Sequence, residues 1–459
     1  MSITKPDLAA QLSLPIPEAV KRIWSMYPIT EQFQRLRGEI LWIITGQATA
    51  ILGAVVGIRM LTGVLSPTAY GELALGMTGA MLINQIVLGP LSNASLRFFA
   101  PAQEAGEFPS FLLGLRSLLF RATIVMTAIA SIICLNLLLL GQLNWIWLGA
   151  AAFGFAAISG YNSVLDGVQN AARQRAIVAW HGALASWGRF LAAVGLVILL
   201  GAYSAIAMLG YMLASVLVLL SQGWFLKHRP LLPNSYTPRA LPDPRRWESK
   251  MFDYAWPFAS WGIFTWMQMA SDRWALQIFT STKQVGLYVV LYQLGYYPIL
   301  LATGMVVQLL APIFYQRAGD ATDKQRIANV NDLILRLTGL ILGVTGIVFF
   351  AAFFFHRQIF QIFVAKEYAS VSHLLQWMLL AAGLFAAGQN ISQIPMSQMK
   401  SHIIITPKIV TALLGTSLNL AGAYWYGTRG VVIASLLFSL IYFLWMVILL
   451  RFKRETKCL

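Results

Sequence analysis

The stretch Ala122-Thr-Ile-Val-Met-Thr-Ala-Ile-Ala-Ser-Ile-Ile-Cys-Leu-Asn-Leu-Leu-Leu139 contains no charged side chain. At 1.5 Å of rise per residue, and with the apolar residues that precede it from Phe111, it is long enough to cross a bilayer as a helix. A water-facing helix of that length would need a polar face, and this one has none. The rest of the chain has the same character. Of its 459 residues, 58% are hydrophobic and only 11% are charged, with a mean hydropathy of +0.68. Soluble domains carry about a quarter charged residues, so the fold class is an all-α polytopic membrane protein.

Apolar runs recur near 39–64, 70–92, 111–139, 143–165, 177–200, 203–225, 252–279, 285–313, 330–354, 370–396, 404–425 and 429–450, which predicts about twelve transmembrane helices. The basic residues test the count. With the amino terminus inside, the inner loops and tails hold most of the cations, from Lys5 and Lys21 through Arg173, Arg245 and Lys324 to Lys457. The outer loops hold only Lys283, Arg357, Lys366 and Arg429. Positive loops stay cytoplasmic, which predicts an even number of spans with both termini cytoplasmic. The net charge of +16 is spread over short loops, so nucleic acid is excluded as a partner and anionic membrane lipid is the expected one.

The expected organisation is a cytoplasmic N-terminal arm (1–37), a six-helix lobe (38–225), a proline-rich cytoplasmic linker (226–250), a second six-helix lobe (251–450) and a cytoplasmic tail (451–459). The arm mixes Pro15, Pro17 and Pro28 with basic residues and does not read as a secretory signal; a surface helix is expected around 18–37. The halves echo each other. Ser66-Pro-Thr-Ala-Tyr-Gly71 follows the first span and Ser281-Thr-Lys-Gln-Val-Gly286 the seventh. Six spans per half make such a repeat parallel, with its axis along the membrane normal.

Several chemistries are missing from the sequence. No Gly-Lys dipeptide occurs, so there is no Walker A loop. No histidine precedes a glutamate, and Cys134 and Cys458 form neither a Cys-x-x-Cys pair nor a disulfide framework. No cofactor, metal or catalytic group is expected.

An ionisable group inside a span costs a few kcal/mol or more and usually faces a partner or a wet cavity. Arg189 lies mid-span within Trp187-Gly-Arg-Phe-Leu191, Arg59 lies toward the outer end of the first span, and Arg273 stands beside Asp272 in the outer third of the seventh. At about 100° per residue, Thr45, Thr49 and Arg59 share one helix face. His181, Ala185, Gly188 and Arg189 share another; Ser260, Gln268 and Ser271 share a third, with Asp272 at its edge. The arginines are candidate substrate-binding residues, and Asp272, Asp166, Glu72 and His181 are ion-coupling or gating candidates. Plainer readings stand beside these. Asp272 and Arg273 can simply pair; Arg59 and Arg273 can snorkel to headgroups; His181 can be a packing residue; Glu72 and Asp166 can be solvated near span ends. Pro90, Pro257, Pro298, Pro312, Pro395 and Pro407 mark places where spans can bend.

The chain resembles the polysaccharide transport flippases of the multidrug/oligosaccharidyl-lipid/polysaccharide exporter superfamily. The carriers are Leu65-Ser-Pro-Thr-Ala-Tyr-Gly71, Leu165-Asp-Gly-Val-Gln-Asn-Ala-Ala-Arg-Gln-Arg175, Pro257, Ser271-Asp-Arg-Trp274, Val285-Gly-Leu-Tyr288, Lys366-Glu-Tyr368 and Gly427-Thr-Arg-Gly-Val-Val-Ile-Ala434. Where that family often has an arginine two residues before the first loop motif, this chain has Gly63, with Arg59 one turn earlier. The resemblance implies two six-helix lobes around a central cavity in a bacterial inner membrane. It implies an undecaprenyl-diphosphate-linked oligosaccharide as substrate, moved from the inner to the outer leaflet, with polysaccharide polymerases as candidate partners. Three alternatives stay open: a multidrug exporter on the same architecture, a membrane enzyme such as a polymerase or ligase, and a non-transporting scaffold. Reporter fusions test the topology. Those in the 226–250 linker and at the carboxyl terminus should report the cytoplasm, and one in the 280–284 turn the outside; a linker found outside would overturn the span count.

Overall fold

The computed structural model describes residues 29–232, 237, 243–319, 322–400 and 402–455, and these contain helices and no strand. The expected N-terminal arm lies mostly outside them. In chain order the helices are α1 (Ile29–Val64), α2 (Pro67–Glu104), α3 (Phe108–Leu139), α4 (Leu143–Ala171), α5 (Arg175–Leu200) and α6 (Ser204–His228). The second half has α7 (Pro244–Phe279), α8 (Thr282–Ala318), α9 (Lys324–Phe363) and α10 (Lys366–Ser397). One last helical stretch, His402–Glu455, turns at Gly427, where φ is +56°. It therefore makes two helices, α11 (402–426) and α12 (428–455).

Among the described residues, nine helical stretches are long and apolar enough to cross a membrane, counting the last as one. The apolar part of α1 described there is the short Ala48–Val64, and α7 carries charges that lower its hydropathy. With those two and the bend at Gly427, the order of the twelve predicted spans is kept. The charged loop residues sort the bundle into a charge-rich end and a charge-poor end, the latter bearing the α1–α2, α7–α8, α9–α10 and α11–α12 turns. α6 runs on to His228 and α7 starts as early as Pro244, so the helices enter the expected linker from both sides.

Local chemistry explains the breaks. Ser66 caps α2, its hydroxyl accepting from the Ala69 amide at 3.3 Å, with Pro67 in the first turn where no N–H is needed. Ser281 caps α8 in the same way, accepting from the Gln284 amide at 3.4 Å. The two echoing loop motifs are thus the caps of the second helix of each half. Each of those helices then contains a π turn, Asn84–Leu88 and Tyr292–Tyr296, shortly before Pro90 and Pro298. A proline removes one backbone donor and crowds the preceding turn, and a wider turn accommodates it. At the last bend the Gly422 and Gly430 backbones lie against each other, leaving no space for a side chain on either.

The outer surface is apolar, as a lipid-facing surface must be. Along α3, Ile124, Ile129, Ile132 and Leu138 point outward and Met126 is buried. α10 is the opposite case, the most buried of the candidate spans among the described residues. Its polar residues have uses. The Asn390 amide donates to the Ile334 carbonyl at 2.9 Å and to the Thr338 hydroxyl at 2.8 Å, and Gln393 accepts from the Tyr315 hydroxyl at 3.1 Å.

One large apolar core joins the halves. It includes Leu61, Leu65 and Tyr70 from the first, and Tyr288, Phe360, Val364 and Tyr368 from the second. Toward the charge-rich end lie two smaller clusters. Phe99, Phe108 and Phe111 pack with Trp247 and Met251 of α7, while Phe314, Ala318, Val330, Ile334 and Ile394 form their own cluster. The tightest joint is between α2 and α8. A Cβ on Gly71 would strike the Thr282 carbonyl, and one on Gly286 the Pro67 carbonyl. Gly286→Leu should therefore wedge the halves apart at the charge-poor end. In a Gln268→Cys background, labelling by a membrane-impermeant maleimide added on that side should rise. Gly304→Leu, on the same helix where a Cβ meets open space, should leave it unchanged; equal labelling in both would show that the glycine contact does not hold the joint.

Candidate functional site

α7 brings an acidic and a hydroxyl side chain into the bundle interior. Its Ser271 and Asp272 are buried, and Asp272 faces a cavity of about 220 Å³ lined also by Gln268, Tyr288, Tyr292, Gln389, Asn419 and Ser435. Four helices beyond α7 contribute, namely α8, α10, α11 and α12. The Asp272 carboxylate is held on both oxygens. Oδ2 accepts from the Tyr288 hydroxyl at 2.7 Å; Oδ1 accepts from the Arg273 amide at 2.7 Å and its guanidinium at 3.2 Å. Asn419 donates to the Ser271 hydroxyl at 3.0 Å, leaving its own Oδ1 buried without a partner.

Arg273 is bound on all sides. Besides Asp272, its guanidinium donates to the Met269 carbonyl at 2.5 Å and lies over the Tyr292 ring at 4.4 Å. Tyr292 stacks on Tyr296 with centroids 5.1 Å apart. Tyr288, Tyr292 and Tyr296 recur every four residues, one turn of helix, and form an aromatic wall along the cavity. In a low-dielectric interior an unmatched charge is costly; here the opposite charges of Asp272 and Arg273 largely offset each other.

Arg59 is at the charge-poor end. Its guanidinium donates to the Val364 carbonyl at the end of α9. The same seam is sewn by the Tyr368 hydroxyl on the Leu65 carbonyl at 2.8 Å and the Ala365 amide on the Thr62 hydroxyl at 3.4 Å. These bonds tie α1 of the first half to the α9–α10 turn of the second. Two tryptophans of α7 add a second tie between the halves, with Trp266 donating to the Thr78 carbonyl at 2.7 Å and Trp274 to the Thr78 hydroxyl at 3.0 Å.

Arg189 differs from both. It is half-buried in mid-α5 and makes no ion pair among the described residues, and its Nε is buried without a hydrogen-bond partner. Its guanidinium carbon is 5.8 Å from the Phe190 ring centre.

The remaining candidates are dispersed over the first half. Glu72 accepts from Ser204 at 2.5 Å, Asp166 from the Gln222 amide at 2.8 Å, and the His181 Nε2 lies 3.1 Å from the Ser221 hydroxyl. Among the seven residues singled out from sequence, only Asp272 and Arg273 are joined to each other by a hydrogen bond or ion pair. The tyrosine wall and Asn419 were missed. The four-residue spacing of Tyr288, Tyr292 and Tyr296 was the available signal, whereas Asn419 gave none.

Comparisons with known proteins fit this geometry. A family profile described as "Polysaccharide biosynthesis protein" matches residues 36–317, more than half of the chain. Comparison with curated proteins returned no match. Among solved structures, an inward-facing multidrug resistance MATE family transporter of the MOP superfamily aligns with TM-score 0.66 at 14% identity, over 90% of this chain and 96% of that one. The lipid II flippase MurJ in an inward closed conformation aligns with TM-score 0.65 at 12% identity, over 90% and 87%. A variant of the Vibrio cholerae MATE transporter VcmN aligns with TM-score 0.57 at 14% identity, over 92% and 97%. At such identities these likenesses concern the fold. The matched profile and the shared two-lobed helical fold lead to one conclusion: the chain belongs to the polysaccharide biosynthesis protein family and is built on the fold of the MATE and MurJ structures.

Proposed function

We propose that this protein flips a polyprenyl-diphosphate-linked oligosaccharide from the inner to the outer leaflet by alternating access. The observation that carries the reading is Arg189, a membrane-embedded guanidinium with no ion pair among the described residues and a buried Nε that nothing accepts from. A diphosphate is the natural complement to such a group. It is anionic, its oxygens match the planar fork, and the pairing gains strength where water is excluded. The lipid tail stays in the bilayer while the sugars cross the polar interior.

On this reading the charge-rich end is cytoplasmic, and the α2–α8 joint with the Arg59 seam closes the outer end. Arg59 would be released when the halves rock. Arg273 would reach substrate only if its bond to Asp272 opened, which makes the pair a switch between a neutral and a charged cavity wall. Asp272 is the ion-coupling candidate of the second half, with Asp166, Glu72 and His181 as candidates of the first. A drug exporter on the same fold would offer a carboxylate to its cationic cargo; the membrane carboxylate facing this cavity is already engaged by Tyr288 and Arg273. Transport is also a better fit than enzymatic assembly, because the solved structures with this fold are described as transporters and a flippase.

Arg189→Ala should abolish surface polysaccharide while the protein remains inserted and abundant. Arg189→Lys should rescue only partly, since a point charge cannot reproduce the fork. Loss of the charge-assisted contact should cost roughly 2–5 kcal/mol of binding, tens- to thousands-fold in affinity. Protein level and lipid-linked substrate binding, measured together, check this. Normal abundance with unchanged binding and transport would remove Arg189 from the mechanism.

A further inference from the structure

Between α4 and α6 runs a buried seam of side-chain oxygens. Asn162, Asp166 and Gln169 fall on one stripe of α4, spaced at four and three residues, and Gln222 meets them from α6. Asn162 is 6% exposed, Gln169 0% and Gln222 0%; Asp166 is half-buried, so the seam can be reached from one side.

Hydrogen bonding fixes which way two of the amides point. The Gln222 nitrogen donates to the Asp166 carboxylate at 2.8 Å and to the Asn162 carbonyl at 3.2 Å. The Asn162 nitrogen donates to the Ser215 carbonyl at 3.0 Å. Those partners can only accept, so neither amide can be turned around. Gln222 Oε1 and Asn162 Oδ1 are thereby left buried with nothing to accept from, and both amide atoms of Gln169 are without partners. Buried polar atoms are nearly always satisfied; here orphaned oxygens stand on the helix stripe that carries Asp166 and on Gln222, the amide bonded to its carboxylate, and positive charge is what would satisfy them. No ion pair supplies it among the described residues. The nearby Arg175 guanidinium donates to Asn170 at 2.5 Å instead.

We propose that Asn162, Asp166, Gln169 and Gln222 form a binding site for a small monovalent cation, with sodium as the fitting ion. A proton on Asp166 would serve at most one of the orphaned oxygens, whereas a cation draws several at once. A single carboxylate with neutral amides balances one positive charge, where divalent sites gather more carboxylates. The site is separate from the Asp272 cavity, and its occupancy does not depend on what the protein transports.

The test is sodium binding to the purified full-length protein, in an Asp272→Asn background so that the other buried carboxylate is silent. Unfolding temperature is followed as sodium chloride replaces N-methylglucamine chloride at constant ionic strength, with ²²Na⁺ binding measured in parallel. The expected result is a saturable upward shift, lost in Asp166→Asn. Gln222→Met, which frees the carboxylate from its orienting hydrogen bond, should weaken binding roughly 10- to 100-fold. If Asp166→Asn does not fold, Gln169→Met decides, since it keeps the carboxylate and removes one oxygen; unchanged sodium affinity there overturns the site. No saturable effect in the Asp272→Asn protein, or an effect that survives Asp166→Asn, overturns it as well.

Discussion

Backbone lies directly on backbone where α2 crosses α8, at Gly71 and Gly286, and the arrangement of the two halves follows from that contact. No other residue brings two helices so close, because any Cβ would occupy the neighbour's carbonyl. The crossing fixes the halves at the charge-poor end, where one apolar core runs through both. At the far end one cluster joins the first half to α7 through Trp247 and Met251, and a second lies within the second half. At this end α7 is also tied to the first half, with Trp247 donating to Glu107 at 2.9 Å.

Within that frame, the cost of charge in a membrane sorts the arginines. Arg273 is offset by Asp272 at 3.2 Å, and Arg59 spends its donor on the Val364 carbonyl. Both therefore help to hold the resting structure. Arg189 is left without an ion pair, with an orphaned buried donor. On the proposed reading, the complement to that donor is a charged ligand. The same accounting, applied to neutral amides, singles out the seam between α4 and α6.

Much of this was legible in the sequence. Apolar runs of bilayer length gave the spans, including the break between the last two, which the structure puts at Gly427. The Ser66 and Ser281 motifs were visible as an echo between the halves, and Asp272-Arg273 as an adjacent pair; that the two serines cap helices was not. What was illegible is long-range. The Arg59–Val364 bond joins residues 305 positions apart, and no local pattern announces it. Gly71 and Gly286 were visible as an echo between the halves but not as a contact, because a repeat says nothing about which surfaces meet. Gln169 and Gln222 raised no alarm because single neutral amides barely disturb hydropathy; only their burial without partners makes them conspicuous. Gln389, Asn390 and Gln393 interrupt the apolar run of α10, and they line the cavity or bond neighbouring helices.

The proposed activity is movement of a lipid-linked oligosaccharide across the bilayer by this protein alone. The most direct measurement is transbilayer movement of a fluorescent undecaprenyl-diphosphate oligosaccharide in vesicles containing only the purified protein, read by quenching from one side and with no ATP present. The account predicts protein-dependent movement that is lost when the diphosphate is replaced by an uncharged linkage. Movement of small cationic dyes in the same vesicles, with none of the diphosphate lipid, would contradict it.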